Sequence, residues 1–339
     1  MIARFTKLLC LIFAPFALAP AFGQDDRAAG AYAFLLDGDY ERAFAEASRL
    51  AEAGSADGQH LLGYLYENGL GVPQDVQHAV ELYTSAARAG QPDAQFSLGE
   101  LAMFAQGVER NAETAAGWYR LAARQGHARA KLRLGVMHAQ GDGVARDAAR
   151  AAALFREAAD LGEPEAARNL AIAYLSGDGV KKDFRLAADW FEKAAEKDDV
   201  LAHYNLGLLI QSGALGPVDI EAAAAHMRRA AEAGFAPAMV GFGLLLHDGA
   251  MEDDPSVGQP VDWFARAAKA GDPQGRFLYA VALSEGDGGE ADLEAARAQL
   301  DALLASPAGA DPELLNQAKQ LRKSLERRQR RGGLFGFGD

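Results

Sequence analysis

The sequence predicts an all-α chain, a right-handed α-solenoid of 36-residue helix-turn-helix repeats. Three columns of residues predict it. Gly63, Gly99, Gly135, Gly207 and Gly243 fall on one 36-residue step; Ala171 takes the vacant rung, and Ala280 takes the next one after a single inserted residue. Alanine pairs keep the same step at Ala86-Ala87, Ala122-Ala123, Ala158-Ala159, Ala194-Ala195, Ala230-Ala231 and, after the insertion, Ala267-Ala268. A closing column runs through Gly90, Gly126, Gly162, Gly234 and Gly271, with Asp198 standing in once. Three columns in one register mark a stacked array. They override the two-domain organisation that 339 residues alone suggest.

The elements follow in chain order. Arg4 and Lys7 precede an apolar run from Leu8 to Leu18. That run is too short for a bilayer span, which needs about 20 residues. Ala21 and Gly23 put small residues at −3 and −1 of a cut before Gln24, the pattern of a cleaved secretory signal over residues 1–23. The alternative is a short membrane anchor. Cys10, the chain's one cysteine, lies inside the run and not after it, so it is not placed for lipidation. Cleavage would leave a chain without cysteine, independent of disulfides in any compartment.

Residues 24–56 read as a shortened helix pair that caps the array, with Gly38 to Ala43 as its turn. Residues 57–309 hold seven repeats. In one of them Ala130, Leu134, Met137 and His138 share a helical face. The loop Gly141-Asp142-Gly143-Val144 ends that helix, since glycine accepts the positive φ of a C-cap. Asp147 then caps the second helix, and Asp75, Asn111, Asp183 and Asp219 fill the same column. Phe155 heads a bulky column continued by Tyr83, Tyr119, Phe191, Met227 and Phe264. It is expected to fill the space between units, while the small columns let helix backbones approach. Asp311-Pro312-Glu313 starts a basic capping helix over residues 310–331, with Leu314, Ala318, Leu321 and Leu325 as its apolar stripe. Residues 332–339 are expected to be a mobile tail.

The repeat resembles the Sel-like repeat (SLR) family, relatives of the tetratricopeptide repeats. Leu62-Gly63, Gly69-Leu70-Gly71-Val72 and Tyr83-Thr84-Ser85-Ala86-Ala87-Arg88-Ala89-Gly90 match that family's Leu-Gly pair, Gly-x-Gly-Val loop and aromatic-x-x-Ala-Ala-x-x-Gly helix end. Departures are local: Ala105 replaces a loop glycine, Gly213 to Gly216 is stretched, and Gly249 to Gln259 is longer and acidic. On this resemblance the helix pair before the repeats is tetratricopeptide-like. First helices would line a concave groove, and the chain would be a regulator or adaptor. Similar exported members restrain membrane sensor kinases or scaffold exopolysaccharide export.

The groove column then runs through Tyr64, Phe96, Met103, Leu132, Arg168, Ile172, Tyr204, Leu208, Leu244 and Phe277, expected to bind a protein or peptide. Arg168 would fix an acidic group of that partner. The alternative is that tight coiling buries these side chains against neighbouring helices.

Composition narrows the rest. The net charge of −13 argues against a nucleic-acid binder. No nucleophile elbow, His-Glu-x-x-His helix or phosphate loop is present. The seven histidines are scattered singly, and each Gly-Asp-Gly loop offers one carboxylate, too few for calcium. No cofactor and no enzymatic activity are expected. The family's link to β-lactam hydrolysis belongs to cysteine-rich members, which this chain is not. The readings left open are a periplasmic regulator or adaptor, a secreted factor that binds host proteins, and a cell-wall or β-lactam hydrolase. Residues 310–339 carry net charge +3 on an otherwise acidic chain. Arg327-Arg328-Gln329-Arg330-Arg331 is either a solvated helix end, which suits cations, or a contact for an anionic membrane or polymer. Export predicts a mature chain starting at Gln24; N-terminal sequencing of exported protein checks it, and an intact Met1 in the membrane pellet would show an anchor instead.

Overall fold

The computed structural model describes residues 28–104, 109–251 and 254–334. The signal segment, Ala105 and the last five residues lie outside them. The described residues form seventeen α-helices and no strand, in two compact units that divide between Arg146 and Asp147. The first unit holds α1 (Ala29–Leu36), α2 (Tyr40–Glu52), α3 (Ala56–Asn68), α4 (Val76–Arg88), α5 (Pro92–Phe104), α6 (Ala112–Arg124) and α7 (Ala128–Gln140). The second holds α8 (Ala148–Asp160), α9 (Pro164–Ser176), α10 (Phe184–Ala195), α11 (Val200–Gln211), α12 (Ile220–Glu232), α13 (Ala236–His247), α14 (Pro260–Lys269), α15 (Pro273–Glu285), α16 (Leu293–Ala305) and α17 (Pro312–Leu334). Within each unit every helix packs on the next one in sequence. This is an α-solenoid of helix pairs, with the odd-numbered helices as the first of each pair.

Local chemistry sets the ends of the helices. Asp75, Asn111, Asp147, Asp183 and Asp219 accept backbone N–H groups of the second helices at 2.9–3.1 Å. Each such cap contributes about 1 kcal/mol. Gly69, Gly141, Gly177 and Gly286 close first helices in the left-handed region. The second glycine of the loop does something else. A methyl group at Gly71 would lie 2.5 Å from the Tyr40 carbonyl oxygen, and Gly143 and Gly179 abut the backbone of Ala112 and Ala148 in the same way. The loop of one repeat therefore rests on the start of the preceding second helix, which explains why Gly-x-Gly recurs where a single C-cap glycine would end the helix.

The bulky column fills more space than the sequence suggests. A methyl group at Gly63 would lie 2.8 Å from the Tyr83 ring, one at Gly243 2.6 Å from Phe264, and one at Gly207 3.0 Å from Met227; Gly99 faces Tyr119 closely. Each large side chain lies on the glycine of its own helix pair. The space filled is inside the pair as well as toward the next repeat, where Met227 also meets Gly241 and Tyr83 reaches Ser97, and the glycine rung makes room for a ring where backbone approach was expected.

The ends of the array also differ from expectation. Gly38 carries the turn between α1 and α2 with φ of 77°, but Tyr40 to Ala43 are already helical, capped by Asp39. The last helix continues through Gly332 and Gly333 to Leu334, so the expected tail boundary at residue 332 falls inside α17. The acidic insertion folds back as a short 3-10 turn, Pro255–Val257, held by Arg228 on Asp254 at 3.0 Å and by the Trp263 indole N–H donating to the Val257 carbonyl at 2.7 Å.

The ring-on-glycine contact predicts that Gly243→Ala lowers stability by about 1–3 kcal/mol through overpacking. Adding Phe264→Leu, which withdraws the ring edge, should recover part of that loss. Urea unfolding of both variants checks it, and an unchanged midpoint for the single variant would contradict the contact.

Candidate protein-interaction face

The expected groove residues all lie on odd-numbered helices, yet they divide by environment. In the first unit Phe96 is core: it is 8% exposed, stacks on His127 at 4.7 Å and tilts against Tyr119 at 5.8 Å. Leu132 on α7 is likewise buried. Neither can anchor a partner, because the packing that fills the first unit has already covered them. Tyr64 on α3 and Met103 on α5 remain half-buried.

In the second unit Arg168 on α9 is held at 3.1 Å by Asp199 and at 3.6 Å by Glu165. Two carboxylates of its own unit already occupy the guanidinium that was expected to receive an acidic group from outside. Ile172 on α9 and Phe277 on α15 are half-buried. Tyr204 and Leu208 on α11 and Leu244 on α13 pack on one shared core cluster, with the Tyr204 ring edge-on to Phe235 at 5.0 Å. Tyr204, Leu208 and Leu244 are thus partly buried apolar side chains packed on the same core cluster.

A polar network in the first unit was not visible in the residue pattern. The Tyr83 hydroxyl donates to Glu67 at 2.7 Å, and the Tyr119 hydroxyl donates to Glu100, which Arg133 also grips at 3.0 and 3.2 Å. Buried Gln91 bridges Asp57 and Asp93, and Asp93 meets His127 at 3.2 Å. His60 pairs with the Tyr32 hydroxyl at 3.0 Å. Burial pushes the Glu67 carboxyl above the usual range and neighbouring Glu100 adds to this, while the Tyr83 hydroxyl opposes both. Burial also works to raise Asp93, but His127, His60 and Gln91 together bring it below the ordinary value. The signal was the repeat step itself: Asp57–Gln91, His60–Ser97 and Glu100–Arg133 are 33 to 37 residues apart, within three residues of one 36-residue step between neighbouring repeats.

The second unit holds a histidine pair that the scattered spacing hid. His203 of α11 and His226 of α12 face each other with Nδ1 atoms 3.0 Å apart and ring centroids 5.3 Å apart. That centroid distance is what two imidazoles aimed nitrogen to nitrogen give. The arrangement makes an N–H···N hydrogen bond, one ring donating and the other accepting, and is the wrong aim for two ligands sharing a metal. Among the described residues no group of three His, Cys, Asp or Glu side chains could hold a metal ion, and no helix is long and apolar enough to cross a membrane.

A run of helix pairs, each helix packed on the next within its unit, is a repeat scaffold. The particular repeat is the Sel1 repeat: its family model matches residues 56–91, 92–127, 128–163, 164–199, 200–235, 238–272 and 273–298, and the chain belongs to this family. Sel1 repeat proteins generally mediate protein–protein interaction. The fold is similar to a protective antigen of uropathogenic Escherichia coli with an SLR fold, at 27% identity and a TM-score of 0.74, over 88% of this chain. This chain spans 65% of the length of that protein. A Sel1 repeat protein from Oxalobacter formigenes is 26% identical, with a TM-score of 0.57 over 85% of this chain and 100% of its own. Comparison with curated proteins gave no significant match.

The histidines predict an acid-sensitive stability. Burial lowers the pKa of His60, His203 and His226 below the ordinary 6.5, with Arg229 acting further on His203 and His203 on His226. Asp57 and Asp93 oppose the shift at His60, and Asp198 and Asp199 oppose it at His203. The unfolded chain then binds protons that the folded chain refuses, so stability present above pH 6.5 is lost as pH falls below it. Urea midpoints measured downward from neutral pH should decline, and His226→Gln should flatten part of the decline. A native midpoint independent of pH from neutrality to about pH 5 would contradict it.

Proposed function

We propose that this chain is an exported bacterial adaptor that holds a protein segment along its odd-numbered helices, with Tyr204, Leu208 and Leu244 as the anchor patch. The observation that carries the reading is that these three apolar side chains, packed on one core cluster, stay partly exposed in a family whose business is protein contact. Tyrosine with aliphatic neighbours gives large contact area at small entropic loss, and such anchors dominate interface energies at about 2 kcal/mol or more each. Ile172 and Phe277, on other odd-numbered helices of the second unit, would add contact area beyond the patch.

The export reading rests on the signal-like first 23 residues and points to the periplasm. There the adaptor would serve envelope signalling or exopolysaccharide production. A second reading, a secreted or surface factor that binds host proteins, draws on the similarity to the protective antigen. Cell fractionation separates the two: retention in periplasmic extract favours the first, and release to the medium favours the second.

The patch reading predicts that Tyr204→Ala with Leu208→Ala weakens a partner captured from the periplasm by tenfold or more, about 1.4 kcal/mol at least, with helix content unchanged. Asp142→Ser with Asp178→Ser, on the loops, should leave capture intact. Binding lost in the loop variant and kept in the patch variant would put the interaction on the other face of the repeats.

A further inference from the structure

The last helix carries a row of cations that the fold leaves unused. On α17 the buried side is Ala318 and Leu325, with Leu315 and Leu321 packed beside them on the cluster that α15 and α16 share. Several of the basic residues are consumed at the edge of that contact. Arg322 pairs with Asp301 and, at 3.4 Å, with Glu326; Arg297 of α16 reaches the same two carboxylates at 3.7 and 3.9 Å. Arg328 donates to the Ser284 carbonyl at 3.3 Å. Lys319, Lys323 and Arg327 do none of this. They are exposed, and among the described residues none has an ion-pair partner. Spaced i, i+4 and i+8, they form one stripe about 12 Å long, on the side of the helix turned away from Ala318 and Leu325.

Such a stripe works against its own helix. Like charges four residues apart repel, and Glu326, the carboxylate three residues from Lys323, is already held by Arg322 and Arg297. A chain of net charge −13 has carboxylates to spare, yet among the described residues none forms an ion pair with this row. The row is therefore a surface with unmet charge on a protein that is otherwise acidic.

We propose that Lys319, Lys323 and Arg327 seat this chain on an anionic lipid surface. The stripe is straight and faces outward from the end of the array, so its three charges can meet a planar surface together. Anionic headgroups attract such cations within a Debye length. The basic helix ends in Leu334, and Phe335 and Phe337 follow it in sequence. Apolar residues next to a basic segment favour a lipid interface over a purely polar polymer, which offers them nothing. The acidic remainder would be repelled by the same surface, which confines the contact to this row.

The test is co-sedimentation of the full chain with vesicles of phosphatidylglycerol and phosphatidylcholine, against vesicles of phosphatidylcholine alone. The native chain should sediment with the anionic vesicles only and be released by salt. Lys319→Glu, Lys323→Glu and Arg327→Glu together should lower partitioning about tenfold or more. The same change at Arg88, Arg120 and Arg124, three exposed cations of the first unit, should lower it far less, although the net charge change is equal. Should the reversed helix unfold by circular dichroism, the three glutamine substitutions keep the test, with a smaller loss expected. A native chain that stays in the supernatant would overturn the proposal. So would equal loss in the control variant, or retention on an acidic polysaccharide column without any vesicle binding.

Discussion

The contact on which the array depends is a large side chain lying over a residue with no side chain. Tyr83 on Gly63, Tyr119 on Gly99, Met227 on Gly207 and Phe264 on Gly243 set how closely the two helices of a pair meet. The same contact reaches the surface. Where the column residue is tyrosine, its hydroxyl emerges beyond the glycine and needs an acceptor, and the first helix supplies Glu67 or Glu100. Where it is Met227 or Phe264 there is no hydroxyl to satisfy, and the residue after the glycine is Leu208 or Leu244. A core choice between phenol and hydrocarbon thus divides the odd-numbered helices into a polar stretch in the first unit and an apolar patch in the second.

These two stretches differ in what they can do. The first unit's network satisfies its buried polar atoms through partners on neighbouring repeats, and such a network fixes register because each member is costly to leave unpaired. Its side chains are committed to one another, as Phe96 and Leu132 are committed to the core. The second unit's patch is held by packing alone, and Tyr204, Leu208 and Leu244 keep area available to another chain.

The repeats were legible from the sequence because an array writes each constraint several times. Gly63, Tyr83, Asp75 and Gly90 mean little singly, but the 36-residue step turns each into a column, and the caps follow from chemistry that is local. What stayed hidden was direction. The step says that Gly63 and Tyr83 recur together; it does not say that the ring points into its own helix pair. The groove column suffered in the same way, since helical spacing puts Phe96 and Tyr204 on equivalent positions. Only packing shows that His127 covers the first while the second stays half open. Partners about one step apart, such as Glu100 and Arg133, were readable in principle, because neighbouring repeats bring those positions together.

One position shows how such an array tolerates a broken rule. The closing column asks for glycine because the chain turns through the left-handed region there, at φ of 86–94° in Gly90, Gly126, Gly162, Gly234 and Gly271. Asp198 takes that turn with φ of 58°, at a cost of about 1–2 kcal/mol for a residue bearing a Cβ, though aspartate is among the side chains that visit this region. The residue beside it offsets that cost. Asp199 caps α11 by accepting the Ala202 N–H at 2.7 Å, and its other oxygen holds Arg168 of α9 at 3.1 Å. One carboxylate thereby ties two first helices together across the strained turn. Arg168 is occupied by the same bond, so what looked in the sequence like a ligand-seeking cation ties two first helices together beside a turn whose glycine is missing.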